Sequence, residues 1–110
     1  MALTISQLFQ PVQLPNPVAV LFTMPTVGVL KNGRVRLTNT SAAAVTVTLY
    51  AAAAGTASGA GNCFLSSKSI AANDYLDVDL PTLTGGDTLR GLASTAAVIT
   101  MHELGGVIYS

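Results

Sequence analysis

Charge is scarce in this chain. Only 9% of its residues are Asp, Glu, Lys or Arg, against roughly 25% in an ordinary soluble domain. The five cations and five anions cancel to a formal net charge of zero. Nucleic-acid binding is therefore excluded as a leading reading, because it needs clustered Lys and Arg to neutralise phosphates. A disordered tail is excluded too, since that state requires high charge and low hydrophobicity. Cys63 is the only cysteine, so no internal disulfide is possible. The longest bulky apolar run is Val18 to Phe22, far short of the about 20 residues of a membrane-spanning helix. No basic stretch precedes a long apolar core at the N-terminus, so no secretory signal is expected. Tryptophan is absent and aromatics make up 5%, which weakens a carbohydrate-binding β-sandwich, the alternative of another class.

What is present is apolar and small. Half of the 110 residues are hydrophobic, and the length suits one domain. A neutral, weakly charged exterior promotes association. Many of the apolar residues are alanines, which bury little area each, so subunit contacts are expected to supplement a thin core.

Residues 1–30 stand apart from residues 31–110. They hold Pro11, Pro15, Pro17 and Pro25 and no charged side chain. Proline removes a backbone donor and fixes φ, which rules out one long helix or a central strand. The segment is expected to be an extended arm or an edge strand. As an arm it would place Leu3, Ile5, Leu8, Phe9, Val12 and Leu14 on a neighbouring subunit.

From Arg34 onward the apolar residues recur with period two. Val35 and Leu37, then Val45, Val47 and Leu49, then Leu76, Val78 and Leu80, and finally Ile99 and Met101 alternate with mostly polar neighbours. Such alternation gives a strand one buried face and one wet face. Turn residues separate the runs: Asn32-Gly33, Asn39-Thr40-Ser41, residues 55–62, Asn73-Asp74 and Gly85-Gly86-Asp87. Gly105-Gly106 inside a strand-like tail suggests a bulge or a close backbone approach. The pattern predicts an all-β fold of seven or eight strands, a single β-sandwich or jelly-roll-like domain with an extended N-terminal arm. A helix over the alanine-rich 42–54 is opposed by Val45-Thr46-Val47-Thr48-Leu49 in its middle.

Chemistry-bearing residues are few. His102-Glu103 fails as a zinc-protease motif because position 106 is Gly106; on a strand the two side chains also point to opposite faces. Asp77 and Asp79 share a face and, with Asp74 or Asp87, resemble the start of a cation site. Alternating acids that keep an edge strand wet are the stronger reading. Cys63 has no base near it in sequence and reads as a small buried residue. Asn39-Thr40-Ser41 fits a glycosylation triplet, but a turn that ends a strand is the plainer reading. Arg34 and Arg36 share a face, and they are expected to meet Asp77 and Asp79 across strands or between subunits. No catalytic set, cofactor or metal ligand group emerges.

One serial pattern goes further. Arg36-Leu37-Thr38-Asn39-Thr40-Ser41 is followed by Val45-Thr46-Val47-Thr48-Leu49-Tyr50 and a Gly/Ala/Ser loop at 55–62. Then come Ile70-Ala71-Ala72-Asn73-Asp74, Leu76-Asp77-Val78-Asp79-Leu80, Leu83, Gly85-Gly86-Asp87-Thr88-Leu89 and Ala93-Ser94, and the chain closes near Gly106-Val107-Ile108. Over about residues 34–110 this resembles a group of small tailed-bacteriophage virion proteins. The resemblance implies an oligomeric β-sandwich or jelly-roll subunit without catalysis, serving in capsid decoration (as a cement protein) or in the tail, collar or fibre base. A virion location after assembly in the host cytoplasm is expected. So is a homo-oligomer, a trimer or higher ring, that contacts the major capsid protein or tail proteins and neither nucleic acid nor membrane. The N-terminal apolar residues, with Arg34 and Arg36, are the candidate partner-binding set.

Overall fold

A computed structural model describes residues 3–4 and 10–109. It is all-β, with ten strands among the described residues: β1 (Leu3–Thr4), β2 (Val12–Gln13), β3 (Ala19–Thr23), β4 (Val29–Asn39), β5 (Val45–Ala52), β6 (Cys63–Ile70), β7 (Tyr75–Asp79), β8 (Leu83–Thr84), β9 (Thr88–Ala93) and β10 (Ile99–Tyr109). The only helical piece among them is one 3₁₀ turn at Ala60–Asn62. The alanines of 42–54 do not form a helix, because Val45, Val47 and Leu49 are buried while Thr46 is exposed. That alternation is satisfied only by a strand.

All pairings are antiparallel and make two sheets. In the first the order is β1-β10-β4-β7, with β2 also on β10 and β8 also on β4; in the second it is β3-β9-β5-β6. Followed from the middle outward, the chain is a hairpin laid on itself. β5 pairs with β6, β4 with β7 and β8, β3 with β9, and β2 and β1 with β10. Two further pairings, β4 with β10 and β5 with β9, fold that ribbon into two facing sheets.

Between the sheets lies one apolar cluster. Val35, Leu37, Ile99 and Met101 come from the first sheet, and Val45, Val47, Leu49, Leu89 and Ala93 from the second. Leu14 and Met24 join it from the proline-rich segment. Residues 12–24 thus supply β2 to one sheet, β3 to the other and two core side chains. The accessible surface is 5642 Å², close to the about 5,700 Å² of a compact monomer of this mass. The amount of surface is ordinary; what sets this chain apart is how few of its residues are charged.

One turn signal takes another form in the fold. Asn32-Gly33 lies inside β4, with Asn32 at φ 57°, and does not begin the strand. Opposite it, the pairing with β10 slips on either side of Gly105, and Gly106 has φ 145°. The expected irregularity at Gly105-Gly106 is present. Two strands of eleven residues each bend together where both carry residues tolerant of unusual φ.

Candidate functional site

The outward face of the first sheet is built by cross-strand register. Arg34 lies opposite Asp79, Arg36 opposite Asp77 and Thr38 opposite Tyr75. Arg36 donates two parallel bonds to Asp77, Nε to Oδ1 at 2.7 Å and Nη2 to Oδ2 at 3.1 Å. Its guanidinium carbon sits 4.1 Å from the centre of the Tyr75 ring, the geometry of a cation–π contact. Arg34 lies between both acids, with Nη2 3.8 Å from Asp77 Oδ2 and Nε 3.5 Å from Asp79 Oδ1. The arginine–aspartate meeting expected from the sequence is made across strands within one chain.

The hydrogen bond from Arg36 holds the Asp77 carboxyl below the ordinary carboxylate value; partial desolvation opposes it, and the positive charges of Arg36 and Arg34 add to it. The same bond raises Arg36 above its ordinary value, again against desolvation. A planar fork meeting a carboxylate gives direction as well as attraction. The cluster therefore pins β4 against β7, the edge strand. Asp79 is 89% exposed, and at this edge it discourages pairing with a further strand.

The remaining aspartates are engaged locally. Asp74 accepts from the Tyr75 amide, and Asp87 accepts from the amide and hydroxyl of Thr84. Among the described residues, no three of His, Cys, Asp and Glu converge on a point where a metal ion would sit. His102 pairs opposite Arg36 and Glu103 opposite Val35, so the two side chains face opposite ways, as a strand requires.

The N-terminal candidates are divided by the fold. Val12 is half-buried on β2 and packs on the core cluster. Leu14 is fully buried and its amide donates to the carbonyl of Ile99. Leu14 as a partner-binding residue is therefore corrected: a side chain with no exposed area has none to offer another subunit. Leu3 lies on β1, opposite Tyr109. Ile5, Leu8 and Phe9 lie outside the described residues.

Two residues have duties that sequence reading missed. Asn39, read as part of a turn that ends a strand in preference to a glycan acceptor, is 0% exposed. Its side-chain amide donates to the carbonyls of Ala43, Ile70 and Ala71, while its oxygen accepts from the amide and hydroxyl of Ser41. It ties the end of β4 to the second sheet, and burial closes it to modification. Cys63, expected to be buried, is only half-buried. It lines a cleft of about 420 Å³ with Thr48, Tyr50, Ala60, Ser66 and Ser67 on the outward face of the second sheet. No family model, curated protein or solved structure matches the chain. The two outward faces are thus the candidate sites: one saturated with its own ion pairs, the other poor in charge, with a cleft lined by hydroxyls.

Proposed function

We propose that this chain is a non-enzymatic structural subunit of a tailed-phage particle, with capsid decoration its role and the fold a jelly roll. The nested strand order carries the reading. Counting β1 with β2 and β7 with β8 as single positions, eight positions run 1-8-3-6 in one sheet and 2-7-4-5 in the other. A long antiparallel hairpin rolled into two sheets gives this order, and jelly rolls of this kind build viral capsids as well as lectins and cupins. A weakly charged exterior favours the first use, because subunits meeting there desolvate few ions. Burial at about 25 cal/mol per Å², multiplied over many copies, is the driving force, before association costs.

Residues ahead of β2 are the proposed contact with the neighbouring subunit. Truncation through residue 14 would remove Leu14 from the core, so the informative deletion is residues 1–9. Two measurements test the proposal. Sizing of the purified chain should show a trimer or a higher ring, and antibody labelling of intact particles should decorate the whole shell. Label at a single vertex would move the role to the tail, collar or fibre base. A stable monomer that labels no particle would overturn the proposal.

A further inference from the structure

The cleft on the second sheet is a built feature, and we infer that it is a binding site for a neutral saccharide. The inference is independent of the assembly role and can be tested on the chain by itself.

The cleft arises from a bulge. Along β5 and β6 the pairing passes from Val47 opposite Lys68 to Leu49 opposite Leu65, so Thr48 faces both Ser66 and Ser67. Ser67 has φ 46°, a conformation unfavourable to a residue with a Cβ. Its amide donates to the Thr48 hydroxyl oxygen at 3.1 Å. That bond holds the bulge, and because the Thr48 oxygen accepts in it, the hydroxyl keeps its own hydrogen to donate. Tyr50 is fixed between Cys63 on one side and Arg90 on the other. Ala60, in the 3₁₀ turn, closes the remaining wall.

The lining chemistry selects the ligand. Every polar side chain in the cleft is a hydroxyl or a thiol: Thr48, Tyr50, Ser66, Ser67 and Cys63. No cation or carboxylate lines the cleft, and Arg90, beside Tyr50 by register, donates its Nε–H to the Thr88 hydroxyl. The lining is too polar for an apolar ligand, since such pockets are mostly hydrophobic. Hydroxyls both donate and accept, which is the pattern a sugar ring presents around its rim. The half-buried Tyr50 ring supplies the apolar surface that a pyranose face needs. The volume falls in the usual range of small-molecule pockets, about 300–1,000 Å³, and suits a mono- or disaccharide. A single aromatic and an open mouth imply weak binding by each copy, strengthened when many copies are displayed together.

The test is an amide-shift NMR titration of the full chain with maltose, cellobiose and chitobiose, beside an array of neutral and sulfated glycans. Expected is saturable movement of the Thr48, Tyr50, Ser66 and Ser67 resonances with at least one neutral sugar. Tyr50→Phe, which keeps the ring and loses one hydroxyl, should weaken that binding about three- to tenfold. Ser67→Gly keeps the unusual φ without strain and should weaken binding to a similar degree, about three- to tenfold, while the fold persists. Unmoved resonances with all three sugars would overturn the inference. So would unchanged affinity in both variants, or a preference for sulfated glycans centred on Lys68 and Arg90. None of these results bears on particle labelling, so failure here is distinguishable from failure of the assembly proposal.

Discussion

The strands of the first sheet carry Lys31, Arg34, Arg36, Asp77, Asp79 and Glu103, while those of the second carry only Lys68 and Arg90. A composition average conceals this division. On the first sheet Arg34, Arg36, Asp77 and Asp79 are spent on one another, in a bidentate pair, a bridging arginine and a stacked tyrosine. That face has strong local fields but no net sign to attract a distant partner. The second face has hydroxyls, Val18 and Val20 exposed, and no acid on its strands. Surface ion pairs contribute modestly to stability; here they set register, and the second face, whose strands carry two cations and no acid, is left for contacts in which few ions need be desolvated.

The largest expected effects come from positions that serve both sheets. Leu37→Ala and Leu49→Ala, one from each sheet, should each cost about 2–5 kcal/mol. Urea unfolding should show a single shared transition in both variants; two separate transitions would break the comparison by making the sheets independent. Asn39→Ala should follow, at about 1–3 kcal/mol, because it removes the donor to three carbonyls between the sheets. Gly91→Ala comes next at about 1–3 kcal/mol. A Cβ there would stand 2.7 Å from Leu49 Cδ2 and 3.1 Å from the Thr48 carbonyl oxygen, and its thermal midpoint should fall with little change at the first face.

The smallest effect belongs to the charged face and is best read against pH. Asp77 titrates lower in the fold than in the unfolded chain. Its contribution is therefore present above the ordinary carboxylate value and fades as pH falls through the depressed one. Asp77→Asn should lose that contribution near neutrality and flatten the acid side of the stability profile. An unchanged profile would show that Arg36 and Asp77 fix register without linking it to protons.

Much of the architecture was legible as period-two alternation. β5 begins at the predicted residue because Val45, Val47 and Leu49 can share a face only when extended. The Arg34/Arg36 and Asp77/Asp79 pairing was legible for the same reason, since residues two apart stay on one side of a sheet. β6 was not legible: its bulge at Ser66 and Ser67 breaks the period, and Ser66, Ser67, Lys68 and Ser69 are all exposed on an edge. The cleft was hidden with it, since Thr48 and Ser67 meet only through strand pairing.

The amino-acid order by itself determined the strands that alternate regularly, the faces of their side chains and the poverty of charge, because each is a property of near neighbours or of composition. Tertiary structure alone decided that Leu14 and Met24 enter their own core, that Asn39 is a buried tie and not a surface acceptor, and that the hydroxyls collect in one hollow. Those outcomes depend on which distant segments pack together, and local periodicity carries no information about distance across the fold.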